Sequence, residues 1–144
     1  MTTVTVRDAH PSDAADLARL TAQLGYPSDA AELPGRLERL SADDNARAYV
    51  AELDSNVVGL VTVHLRYTLN HSAPIAQITL LVVDESVRGR GVGRALVEAT
   101  ERFAVSRGTR RINVTTQLSR AGAHAFYESV GYAHTGRRYG KDFA

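Results

Sequence analysis

The chain has 144 residues, 44% of them apolar and 23% charged, with a formal net charge of +1. That is enough for one compact domain spanning 1–144, and the near-zero net charge argues against nucleic acid or an anionic membrane as partner. Cysteine is absent, which excludes disulfides, thiolate metal sites and a cysteinyl acyl intermediate; no metal is expected. The N-terminus MTTVTVRDAH carries no signal segment, and no apolar run nears the ~20 residues of a membrane span, so a cytoplasmic protein is expected.

Val4 and Val6 alternate with polar neighbours, which predicts a short, half-buried first strand. Pro11, Ser12 and Asp13 supply a helix start; Leu17, Leu20 and Leu24 follow at helical spacing, and Gly25 ends the run. Ser28 or Asp29 caps a second helical stretch carrying Leu33, Leu37 and Leu40, with a break or kink expected at Pro34-Gly35. Asp43-Asp44-Asn45 reads as a loop. From Ala48 the period changes to two: Tyr49–Leu53 and Val57–Leu65 are β-rich and flank Asp54-Ser55-Asn56, which is hairpin chemistry. A polar stretch, Asn70–Pro74, leads to a strand over Ile75–Val83, whose run Leu80-Leu81-Val82-Val83 suits a central strand buried on both faces. A glycine-rich turn, a helix over Gly91–Arg107, a strand over Arg111–Thr116 and a helix over Arg120–Val130 follow, and Gly131–Phe143 can supply one or two closing strands. Helices interrupt the strands without strict alternation, so the fold class is mixed α/β or α+β.

The junction VVDESVRGRGVGRAL is the most informative segment. A strand runs into alternating Gly89, Gly91 and Gly93 and then into an amphipathic helix. Glycines there let backbone N–H groups converge, and the helix start adds free donors and a positive dipole end, so the place suits phosphate. Arg88, Arg90 and Arg94 surround it with positive charge. The Walker A pattern fails for want of a Gly-Lys-Ser/Thr ending. The Rossmann fingerprint fails because Arg94 and Leu96 stand where Gly or Ala is needed.

What fits is Arg88-x-x-Gly91-x-Gly93, which resembles the pyrophosphate loop of the GNAT family of N-acetyltransferases. Downstream, Ala123-His124-Ala125-Phe126-Tyr127-Glu128-Ser129-Val130-Gly131-Tyr132 resembles that family's second common segment, a helix with Ala-x-x-Phe-Tyr closing at Gly-Tyr. The resemblance covers essentially the whole chain. It implies one GNAT-type domain with a mostly antiparallel sheet, whose two parallel strands, the fourth and fifth, splay into a cleft flanked by helices.

It further implies acetyl-coenzyme A as cosubstrate and a small-molecule amine as acceptor. The pantetheine arm would run along Leu81, Val82 and Val83 as an added strand, and the pyrophosphate would sit on Arg88, Gly89, Arg90, Gly91, Val92, Gly93 and Arg94. A backbone N–H near Leu81 would polarise the thioester carbonyl. An alkylamine, with a pKa near ~10, arrives as ammonium and must lose a proton, and the leaving thiolate gains from a donor. Tyr127 matches the tyrosine that the family uses as that donor.

The base departs from many relatives, which carry glutamate where Thr79 or Gln77 stands here. Either residue can orient a water; neither can hold the proton. A water chain, His64, His71, Asp84 or Glu85 remains, with His71, on the loop before the central strand, preferred. Arg120 stands where many members carry a cofactor-contacting asparagine; it meets a coenzyme A phosphate or lies in solvent. His124 is read as packing. Asp43, Asp44, Glu32 and Glu38 could attract a cationic acceptor. The acceptor's identity, transfer to a protein amine, a non-catalytic acyl-coenzyme A sensor and a homodimer all stay open.

Overall fold

Asp54 and Ser55 adopt left-handed backbone, φ 52° and 66°, which is the geometry of a two-residue hairpin turn. The turn joins β2 (Ala46–Leu53) to β3 (Asn56–Arg66) and sets their antiparallel register, from Leu53 opposite Asn56 to Ala46 opposite His64. The computed structural model describes residues 3–115, 121–136 and 139–143. They form two units, Met1–Asn113 and Val114–Ala144.

The sheet runs β1-β2-β3-β4-β5, with β1 at Val4–Asp8, β4 at Ile75–Val83 and β5 at Ile112–Val114. The first four strands are antiparallel to their neighbours; β5 lies beside β4 and parallel to it. Helices α1 (Ala14–Gln23) and α2 (Leu33–Ser41) precede β2, α3 (Val92–Ser106) follows β4, and α4 (Ala121–Ser129) belongs to the second unit. The mixed sheet is the one expected. None of the described helices is long and apolar enough to cross a membrane.

Two apolar layers cover the sheet. Leu17 and Leu20 of α1 and Leu33 of α2 pack with Val50, Leu60 and Val82 on one face. On the other, Val63, Leu65 and Ala76 pack with Phe103 and Ala104 of α3. Each such fully buried Leu, Val or Phe is worth about 1.5–3 kcal/mol.

Pro34-Gly35 does not break the second helix; it starts it. Pro34 occupies the first turn of α2, where a missing N–H costs nothing, and residues 24–32 before it hold no helix. The run Leu80–Val83 is also not doubly buried: Val82 is buried, but Leu80, Leu81 and Val83 are half-buried and Thr79 is exposed. The cause lies in β5. It starts beside β4 with Ala76 N–H bonding the Arg111 carbonyl (3.0 Å), and it ends three residues later at Val114. Among the described residues no strand flanks Leu80–Val83 on that side. The described part of 131–143 holds no strand, and Thr116 and Arg120 lie outside the described residues.

Helix α3 sits unusually close to the sheet at Gly59 of β3. A Cβ there would stand 2.9 Å from Leu96 Cδ1 and 3.0 Å from Val92 Cγ1, with the Val82 carbonyl at 3.4 Å. Only a glycine admits the first two turns of the helix at this distance. The helix N-terminus is thereby fixed against β3 and β4.

The opposite corner is pinned by a buried carboxylate. Arg7 makes two 2.9 Å bonds to Asp13, which also accepts from the His10 N–H at 2.8 Å, and Arg7 reaches Glu52 as well. Bonding to Arg7 holds the Asp13 carboxyl below its usual range against the opposing effect of burial. A depressed carboxyl contributes stability above its unfolded pKa and loses it as pH falls through the folded one. Asp13→Asn is therefore expected to cost about 1.5–3 kcal/mol in urea unfolding at pH 7. The gap to wild type should close as the pH drops below about 4. Gly59→Ala is expected to cost about 1–3 kcal/mol in the same experiment, through the forced shift of Leu96 and Val92.

Candidate active site

The last residues of β4 run into a turn that its own side chains lock. Asp84 accepts from the Ser86 N–H (3.0 Å) and hydroxyl (2.8 Å), and a short 3₁₀ segment spans Glu85–Val87. Those bonds from Ser86, aided by Arg19, hold the Asp84 carboxyl below its usual range. Arg19 of α1 pairs with Asp84 and donates to the Val57 carbonyl at 2.8 Å; the Asp84 N–H reaches the Val58 carbonyl at 2.8 Å. The Glu85 N–H meets Gln23 Oε1 at 3.1 Å. The entry to the loop is thus bolted to α1 and β3.

Beyond it the chain opens. Gly89 and Gly91 have φ of +82° and +83°, and nothing lies within 4 Å of where either Cβ would be. Gly91 is the N-cap of α3 and offers no side-chain cap, so the first N–H groups of α3 keep no side-chain acceptor from it. Arg88 donates to the Val83 carbonyl at 3.4 Å, and Arg88, Arg90 and Arg94 are exposed. No ion pair engages these three among the described residues. Left-handed glycines, an uncapped helix start and three exposed guanidiniums form a cradle for an anion with several oxygens. The expected loop residues Arg88 to Arg94 are brought together here, with Val92 buried under the loop as its anchor.

On β4 the structure adds what the sequence did not show. Thr62 pairs with Leu80 but Val63 pairs with Ile78, so Thr79 is an extra residue, a β-bulge. Its hydroxyl lies 2.6 Å from Thr62 Oγ1 and donates to the Thr62 carbonyl at 3.3 Å. Gln77, half-buried, stands opposite His64 of β3. Residues Leu81–Val83 lie on the flank that no described strand covers.

The candidate proton acceptors separate. His71 is exposed on the loop after β3 and shares a 3.1 Å bond with Thr68 Oγ1. Asp84 is engaged as described, and Glu85 is exposed. His64 is half-buried on β3, and its Nδ1 is buried without a partner among the described residues. Asp43, Asp44, Glu32 and Glu38 are all exposed, Glu32 paired with Arg36 at 2.6 Å. No described group of three or more His, Asp or Glu is arranged to hold a metal.

In the second unit, α4 carries Tyr127, half-buried, edge-on to Phe126 at 5.4 Å and 6.1 Å from Tyr132. The Tyr132 N–H returns to the Tyr127 carbonyl at 2.9 Å and closes the helix at Gly131. His124 is half-buried on the same helix. Gly59 and the bulge escaped the sequence reading. The only signal of Gly59 is a lone glycine inside a β-branched run; the bulge leaves none.

The family model described as acetyltransferase (GNAT) family matches residues 13–132. An aminoalkylphosphonate N-acetyltransferase of Salmonella typhimurium is 31% identical over 99 residues, 69% of this chain and 64% of that protein. The chain therefore spans somewhat under two thirds of that relative. An aminoglycoside N(6')-acetyltransferase type 1 of Stenotrophomonas maltophilia is 31% identical over 137 residues, 92% of this chain and 88% of the relative. Among solved structures, aminoglycoside N-acetyltransferase AAC(6')-Iy in complex with CoA superposes with a TM-score of 0.86 at 19% identity, covering 99% of this chain and 96% of that one, a likeness of fold alone. With a family match over most of its length and the loop and sheet just described, the chain belongs to the acetyltransferase (GNAT) family.

Proposed function

We propose that this chain binds acetyl-coenzyme A on β4 and the Arg88–Arg94 loop and transfers the acetyl group to a primary amine of a small molecule. The observation that carries the reading is the loop: two left-handed glycines open onto the uncapped start of α3 among three exposed arginines. A pyrophosphate supplies the oxygens that such a cradle lacks. The uncovered flank of Leu81–Val83 supports an extended pantetheine laid beside β4 as an additional strand. Backbone N–H near Leu81 would then receive the negative charge that develops on the thioester oxygen. The family match crosses Asn113, which supports one functional domain over 1–144.

Tyr127 is proposed as the donor to the departing thiolate, on the likeness of its helix to the family segment. Gln77 and Thr79 are proposed to orient the acceptor or a water, with His71 on the loop at the acceptor side. The names of the two relatives point toward an aminoalkylphosphonate or an aminoglycoside as the class of acceptor. Both are amines on polar, charged small molecules.

Two measurements test this. In calorimetric titration, acetyl-coenzyme A should bind saturably to wild type, and Gly91→Glu should weaken it about 100-fold or more, since a side chain at a left-handed position would project an anion into the cradle. Absence of binding at millimolar acetyl-coenzyme A would overturn the reading. Tyr127→Phe should lower turnover about 100-fold while leaving acetyl-coenzyme A affinity unchanged. An unaffected turnover would remove Tyr127 from the mechanism.

A further inference from the structure

We propose that His64 of β3 accepts the proton that the acceptor ammonium gives up before it attacks the thioester; the inference rests on the acetyl-transfer reading above. His64 faces Gln77 across the β3–β4 pair, and side chains paired this way share a face about 5 Å apart. That face also carries the Thr62–Thr79 hydroxyl pair, because Thr62 lies two residues before His64 on a strand that is regular there. The intervening Val63 and the following Leu65 point the other way, into Phe103 and Ala104. His64 therefore stands beside the bulge, at the level where β5 begins.

The Nδ1 atom of His64 is buried and bonded to nothing among the described residues. Buried polar atoms are nearly always satisfied within the protein, so an orphan ring nitrogen next to a ligand-facing strand marks a place where something else completes the bond. The other candidate groups are less suited. Gln77 and Thr79 cannot hold a proton, Asp84 is tied to Ser86 and Arg19, and the His71 ring is exposed and shared with Thr68.

Around the His64 ring the neighbouring strands present small or uncharged side chains. Its cross-strand partners are Ala46 and Gln77, with Ala48 and Thr62 beside them. The charged groups nearest along this face are Arg66 at the end of β3 and, beside β4, Arg111, which donates to Asn113 Oδ1 at 3.0 Å; both arginines are exposed. Helix α2, packed on β2, buries Leu33 and Leu37 and leaves Arg36, Glu38 and Arg39 exposed.

An ammonium N–H bond breaks and its proton passes to the imidazole. The freed lone pair forms the C–N bond as the C–S bond breaks. The sulfur takes the proton of the Tyr127 hydroxyl, which is restored by the proton the nitrogen loses on becoming an amide. The imidazolium returns its proton to water.

The test compares wild type, His64→Gln and the double variant His64→Gln/Gln77→Glu on two kinds of nucleophile. 2-Aminoethylphosphonate and kanamycin arrive as ammonium ions, whereas hydroxylamine is unprotonated at neutral pH. Acetyl-coenzyme A binding is measured alongside for each chain. His64→Gln should lose about 100-fold in kcat/KM with the alkylamines and the acid limb of their pH profile, and keep its hydroxylamine rate and donor affinity. Gln77→Glu in that background should restore about tenfold or more by placing a carboxylate opposite the lost ring. In wild type, NMR titration of the His64 ring should show the midpoint of that acid limb, a measurement that stands even where the variant does not fold. Equal loss with both nucleophiles, unchanged alkylamine rates, mismatched midpoints, or a wild type active only on hydroxylamine would overturn the role of His64 and leave acetyl transfer standing. A wild type that acetylates neither nucleophile would overturn acetyl transfer, and this inference with it.

Discussion

The close seating of α3 on β3 at Gly59 is the constraint on which the rest of the site depends. With no Cβ in the way, Val92 and Leu96 rest directly on the strand, and both are essentially inaccessible to solvent. The start of the helix is then held next to the end of β4, and the free N–H groups of its first turn are fixed before any ligand arrives. The entry to the loop is fastened separately, by Asp84 to Arg19 and to the Val58 carbonyl. Both ends are anchored while the apex at Gly89 to Gly91 stays open. Donors arranged in this way need little reorganisation on binding, which is why a helix N-terminus serves so well for phosphate.

A second constraint divides β4 into two working parts. Up to Ile78 it is an ordinary core strand, with Ala76 and Ile78 almost wholly buried and β5 alongside. At Thr79 the extra residue breaks the register, and the Thr62–Thr79 hydroxyl contact ties the break to β3. From there to Val83 the strand has a partner on one side only among the described residues. Its unpaired backbone groups cost free energy if buried dry, but beside a ligand they become donors and acceptors. Half-burial of Leu80, Leu81 and Val83 follows from the same geometry.

The chemistry then follows from what the face beside the bulge contains. Replacing a carboxylate by Gln77 and Thr79 removes the obvious proton acceptor but not the requirement for one. In the role proposed for it, a histidine on the neighbouring strand, with one ring nitrogen buried and unpaired among the described residues, would meet that requirement without placing a buried negative charge next to a thioester.

Much of this was legible from residues alone, because periodicity and turn chemistry act over short windows. Ile75–Val83 emerged with its observed bounds, α3 began and ended within a residue of expectation, and the Asp54-Ser55 hairpin was recognisable from its residue types. The Arg88–Gly93 loop was legible for the same reason: its conformation is set by the glycines it contains. Pro34-Gly35 misled, since a proline that breaks a helix interior also starts a helix, and only the position of the first turn separates the two. Four consecutive apolar residues likewise cannot say whether a neighbouring strand continues beside them. The tertiary structure alone decided the bulge at Thr79, the approach at Gly59 and the pairing of His64 with Gln77. Each depends on which residue of one strand meets which residue of another, a relation between distant segments that no local window of sequence contains.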